Sequence, residues 1–123
     1  MAEEQRRTLL RVASLNTWHG LNGQGTFFFG QLESRAERMA RLDRQITCLQ
    51  SLNADVLLLQ EVNPLPFRAH WYADKLSKRV QYVSCNSGIK LGWGPPGNLN
   101  EGVAILFPQD WDHEFLGRKR LSG

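Results

Sequence analysis

Two polar side chains stand where runs of apolar residues stop. Asn16 ends the stretch Leu9-Leu10-Arg11-Val12-Ala13-Ser14-Leu15, and Glu61 follows Val56-Leu57-Leu58-Leu59-Gln60. A carboxylate placed directly after an apolar run is costly unless its charge is compensated. A hard divalent cation does this. Mg²⁺ takes one or two protein carboxylates and keeps water and substrate phosphates as its other ligands. A helix cap or a solvated strand end is the other reading of Glu61, and spacing alone leaves both open. His19, just beyond Asn16, is near enough in sequence to touch a phosphate bound there, and as a lone histidine it also reads as an ordinary loop residue.

Both polar groups need elements that bring them to one place. Leu9 to Leu15 reads as a strand. Residues 20–31, rich in Gly, Asn and Gln around Phe27-Phe28-Phe29, read as a loop. From about residue 32 to 52 the period changes: Met39, Leu42, Ile46 and Leu49 recur at helical spacing and define one apolar face. Arg35, Arg38, Arg41 and Arg44 form a second stripe, read as a solvated face, with a phosphate-facing surface as the alternative. Asn53-Ala54-Asp55 breaks the helix, and residues 56–60 have the continuous apolar character of a strand buried on both faces. Strand, helix and buried strand make a βαβ unit with parallel strands. Asn16 and Glu61 then share the carboxyl ends of the two strands, where open α/β sheets gather their ligands.

Farther along, a helix is expected over about residues 67–78, a strand over 81–84, a Gly/Pro-rich loop over 88–98, a strong strand over 103–107 and a weaker one over 111–116. Cys48 on the first helix and Cys85 on the third strand read as structural thiols. The run Gly92-Trp93-Gly94-Pro95-Pro96-Gly97 fits a dinucleotide-binding pattern by spelling only, because Pro95 and Pro96 have no N–H to offer a pyrophosphate and a strand, not a helix, follows. Trp18, Trp93 and the phenylalanine triplet read as packing residues before they read as stacking surfaces.

The 123 residues support one domain. Two cysteines make no disulfide framework and no zinc spacing, so a reducing, cytoplasmic setting is expected. No apolar run approaches a membrane span. The formal net charge is +3, with basic residues spread along the chain, so charge by itself does not point to nucleic acid. Eleven of the basic residues are arginine, which suits bidentate phosphate contacts.

Three segments occur in an order and at separations that resemble the endonuclease/exonuclease/phosphatase family, which includes deoxyribonuclease I, abasic-site endonucleases, neutral sphingomyelinases and inositol phosphatases. They are Arg11-Val-Ala-Ser-Leu-Asn16-Thr-Trp, Ala54-Asp-Val-Leu-Leu-Leu-Gln60-Glu61-Val and Asn100-Glu-Gly-Val-Ala-Ile-Leu106. The resemblance implies that Glu61 is a metal ligand, that Asn16 lies beside the metal and the scissile phosphate, and that Asn100 lines the substrate cleft. It implies Mg²⁺ (or Mn²⁺) as cofactor and hydrolysis of a phosphate ester, whether in nucleic acid, a phosphoinositide or a sphingolipid. The fold it implies is α/β, the first half of a four-layered α/β sandwich.

The family's later motifs, Gly-Asp-x-Asn and Ser-Asp-His, have only outlines here, in Gly97-Asn98-Leu99-Asn100 and Asp112-His113. Residues 1–123 are therefore expected to be a single partial domain, weak or inactive alone: a truncated product, a partial sequence, or one piece whose C-terminal half comes from another chain, with a degenerate self-contained domain as the alternative. Inner-face residues Leu57, Leu59, Val103 and Ile105 would be exposed in such a piece. The rival expectation is a non-catalytic module that keeps the fold and binds phosphate or nucleic acid.

Overall fold

The computed structural model describes residues 9–17, 34–84 and 102–119. Strand β1 (Val12–Asn16) precedes helix α1 (Arg35–Leu52), followed by β2 (Val56–Val62), α2 (Phe67–Leu76), β3 (Arg79–Ser84) and β4 (Gly102–Phe107). The four strands form one sheet in the order β1-β2-β4-β3. β1 and β2 run parallel in the register Val12↔Val56 to Asn16↔Gln60, whereas β4 runs antiparallel to both β2 and β3. The βαβ unit and the α/β class are as the periodicity predicts.

α1 begins where its donors are satisfied. The Ser34 hydroxyl accepts from the Glu37 N–H at 3.1 Å, and the Glu37 carboxylate accepts from the Ser34 N–H at 2.8 Å, a reciprocal capping box. The Ser34 hydrogen bonds hold the Glu37 carboxyl below its usual range. At the other end Asn53 takes a left-handed conformation that closes the helix. Leu42, Ile46 and Leu49 face inward as expected. Met39 does not. It is 39% exposed, because it sits in the first turns of the helix, beside a groove rather than over the sheet. Cys48 is an exposed free thiol and not a core residue.

Strand pairing fixes which side chains go under the helices. Leu57 pairs with Leu106 and Leu59 with Ala104, and these residues join Leu42, Ile46, Leu49, Ala69 and Tyr72 in one core. Leu57 and Leu59 are each only 1% exposed. This corrects the expectation that they would lie bare on the inner face: alternation turns them toward α1 and α2. Val103 and Ile105, also expected to be bare, point to the other face and are 40% and 44% exposed.

The strand expected over 111–116 does not form. Asp112 and Glu114 charge this stretch, it is exposed throughout, and no ladder hydrogen bonds hold it. Guanidinium groups tie it to β3 instead: Arg79 Nη1 donates to the Trp111 carbonyl, and Arg118 Nη1 donates to the Ser84 carbonyl, each at 2.9 Å.

Candidate functional site

Parallel pairing brings the carboxyl ends of β1 and β2 to the same rim. Asn16, the last residue of β1, stands opposite Gln60. If β2 kept alternating, Glu61 would follow Leu57 and Leu59 under the helices. It does not. Between the pairs Leu59↔Ala104 and Val62↔Gly102 the register slips by one residue, a bulge on β2. Glu61 takes a positive φ of 55° at this point. The slip puts Val62 into the core, fully buried, and turns the half-buried Glu61 carboxylate to the rim. There Asn16 Nδ2 donates to Glu61 Oε1 at 2.9 Å. The two residues singled out from sequence are thus in direct contact.

Gly102 is needed opposite the bulge. A Cβ at this position would lie 2.0 Å from the Val83 carbonyl oxygen and 2.6 Å from Leu65 Cδ1. Only a residue without a side chain lets β4 pass between Val62 and Ser84.

The bulge is held from behind by Thr17. Its N–H donates to the Gln60 carbonyl at 2.9 Å. Its hydroxyl lies 2.9 Å from the same carbonyl and 3.0 Å from that of Glu61, so one proton is shared between two acceptors. The Thr17 carbonyl in turn accepts from Arg41 Nη1 at 2.6 Å and from Gln45 Nε2 at 3.0 Å. Gln45 Oε1 accepts from the Tyr72 hydroxyl. Burial pushes that hydroxyl up to about 12, against the opposing pull of the nearby Arg41 and Arg68 guanidiniums. One chain of contacts therefore runs from α2 through α1 to the backbone that aims Glu61. On the strand side, Gln60 Nε2 donates to Ser14 Oγ at 2.9 Å.

None of this support is singled out by the sequence. Arg41 belongs to the stripe expected to be solvated, yet it reaches inward, and Gln45 follows it one turn later on the same helix face. Their spacing is the available signal, but nothing in it names Thr17 as the target. His19 and Asn100, proposed to touch substrate, lie outside the described residues, as do Trp18, Trp93, Cys85 and the Gly97-Asn98-Leu99-Asn100 run. Asp112-His113 is at the wrong end of the sheet. His113 packs against Phe107 at 4.5 Å between ring centres, and Phe107 ends β4, whose first residue, Gly102, is the one that pairs beside Glu61.

Among the described residues no group of three or more His, Cys, Asp or Glu side chains converges as a cation cage. The donor set at the rim is one carboxylate and one amide. That is sparse for zinc but compatible with Mg²⁺, which leaves most of its positions to water and substrate oxygens. No helix of the described residues is long and apolar enough to cross a membrane.

Residues 13–118 match the family model described as Endonuclease/Exonuclease/phosphatase family. No curated protein and no solved structure matches the chain.

Proposed function

The chain belongs to the endonuclease/exonuclease/phosphatase family of phosphoesterase-type hydrolases, and on that premise we propose that the Asn16–Glu61 rim is a divalent-metal site for phosphate-ester hydrolysis. The observation that carries the reading is the 2.9 Å contact between Asn16 and Glu61 at the carboxyl ends of two parallel strands, with a bulge aiming the carboxylate. Glu61 would hold Mg²⁺ or Mn²⁺, with Asn16 beside it. When bound, the cation supplies charge neutralisation for phosphoryl oxygens and activation of water.

The chain's own groups do the rest. The Asn16 amide fixes the rotamer of the Glu61 carboxylate by donating to one of its oxygens. Thr17 locks the backbone on which Glu61 sits. His19 and Asn100 are proposed as substrate contacts. Nucleic acid, phosphoinositides and sphingolipids are all substrates of the right chemistry.

Among the described residues no Asp-His pair stands at this rim to take a proton from water. Residues 1–123 are accordingly proposed to bind the metal yet hydrolyse poorly. A complementary C-terminal half would add the missing groups. The half-exposed Val103 and Ile105 face of the sheet offers the surface on which a second sheet could pack.

The experiment is a Mn²⁺ titration followed by electron paramagnetic resonance, run beside a turnover assay on a simple phosphodiester. We expect Mn²⁺ binding that competes with Mg²⁺ and weakens by more than about tenfold in Glu61→Gln, the loss seen even for groups behind a ligand. Binding that ignores Glu61→Gln would overturn the metal assignment. Phosphate or nucleic-acid binding at the rim indifferent to both metal and Glu61→Gln would establish the non-catalytic module instead. Vigorous turnover by the chain alone, lost in Glu61→Gln, would disprove its need for a second half.

A further inference from the structure

The first turns of α1 and α2 converge on the helix side of the sheet and leave a groove of about 410 Å³ between them. Arg35, Arg38 and Met39 line it from α1, and Phe67, Arg68 and Trp71 line it from α2. Its size falls in the roughly 300–1,000 Å³ range of ligand pockets. Its composition differs from that of a packing defect: three guanidinium groups and two aromatic rings share one concavity. Arg68 is stacked into it, its guanidinium carbon 5.4 Å from the Phe67 ring centre and 5.1 Å from that of Trp71.

That arrangement gathers positive charge. Arg68 is a buried residue, and burial lowers its pKa; Tyr72 opposes that shift, and the charges of Arg38 and Arg41 add to it. The opening of α2 adds the positive end of its helix dipole. Arginine suits phosphate because its planar fork can make two parallel hydrogen bonds to phosphate oxygens. Phe67 is 61% exposed, so the ring keeps open area beyond what Arg68 covers.

We propose that this groove binds single-stranded nucleic acid, with backbone phosphates on Arg35 and Arg38 and a base stacked on the Phe67 ring beside Trp71. Arginines next to accessible rings are the combination that holds unpaired strands, because every base offers a face to stack and every linkage offers a charge. A membrane surface is the other polyanion with apolar character, but it needs projecting residues, and these rings and guanidiniums line a concavity. The groove is separate from the rim: Arg38 lies one turn from Arg41, whose guanidinium is turned to Thr17. The proposal does not depend on the metal reading.

The test is fluorescence anisotropy of a short labelled oligothymidylate with the full chain, in EDTA so that no metal contributes. Binding should weaken with salt. The double variant Arg35→Gln, Arg38→Gln should reduce the slope of log K against log salt by about 1.4, or about 0.7 for each phosphate no longer neutralised. Phe67→Ala should weaken binding roughly tenfold, within the range for removing one stacked base, while leaving the slope unchanged. Phe67 and Arg35 are exposed, and thermal melting of each variant verifies that the fold is kept. Wild-type affinity in both variants overturns the proposal. So does binding to phosphatidylserine vesicles with the same arginine dependence but no binding to the oligonucleotide.

Discussion

The two halves of β2 follow different rules. From Val56 to Leu59 the strand alternates, sending Leu57 and Leu59 under the helices and Leu58 to the opposite face beside Ile105. From Gln60 to Val62 the alternation fails, Glu61 turns to a positive φ, and Val62 takes the core position. Burial of apolar area is enough to specify the first half. The second half is a conformation that β2 does not favour by itself, and it is held by Thr17, Gly102 and, at one remove, Arg41, Gln45 and Tyr72. Stability and carboxylate placement are therefore encoded by different residues, Tyr72 excepted, although they adjoin on one strand, and substitutions should separate them.

The largest effect is expected in the regular half. Leu59→Ala removes a fully packed side chain and should cost about 2–5 kcal/mol of unfolding free energy, read from urea denaturation. The remaining folded molecules should bind Mn²⁺ with wild-type affinity, because Leu59 touches the core and not the rim. A parallel loss of affinity per folded molecule would show that the two halves are one unit.

A smaller effect of opposite sign is expected two residues on. Glu61→Gly removes the carboxylate but suits the left-handed backbone, where a side chain costs roughly 1–3 kcal/mol. Glycine's greater freedom in the unfolded chain returns part of that gain. A net stabilisation of up to about 1 kcal/mol, with Mn²⁺ binding abolished, is the expected outcome. Such a residue would be one where function is kept at the expense of stability. A destabilised Glu61→Gly would mean that the Asn16 contact outweighs the backbone strain.

The same division explains what is legible in the sequence. Helical and strand periods report on neighbours along the chain, so the α1 face at Leu42, Ile46 and Leu49, the apolar run of β2 and the parallel βαβ unit all follow from it. The arrival of Asn16 and Glu61 at the same end of the sheet follows as well, since parallel strands bring their carboxyl ends together, but their contact does not, because it needs the bulge. The bulge does not follow. It depends on how Val62 meets Gly102, forty residues away in the chain, and no local period carries that information. The arginine stripe shows the same limit. Arg41 and Arg44 are equivalent in spacing, yet only Arg41 lies beside the Thr17 carbonyl, and Arg35 and Arg38 line a groove that exists only because α2 packs there. Residues 111–116 mislead for a different reason: aromatic and leucine residues raise the strand signal, while two acidic side chains, Asp112 and Glu114, make an exposed, side-chain-tethered path more favourable.

The mildest expected effect probes the remote support of the bulge, and it is silent at neutral pH. Tyr72 is fully buried, and its pKa is raised from the ordinary 10.0 to about 12. The folded state therefore holds the phenolic proton more tightly than the unfolded state does. Its contribution is complete below about pH 10 and is lost as pH rises toward about 12, because in that window the unfolded chain releases the proton first. Lysine ammonium groups titrate there too, so the informative quantity is the difference between the wild type and Tyr72→Phe in thermal melts across the window. The wild type should lose stability more steeply than the variant. Ionised Tyr72 can no longer donate to Gln45, and Gln45 is one of the two groups that hold the Thr17 carbonyl. If Mn²⁺ affinity at the rim also falls more steeply in the wild type, the contacts from α2 to Glu61 act as one mechanical support. If stability falls but affinity does not, Arg41 alone is enough to hold Thr17 in place.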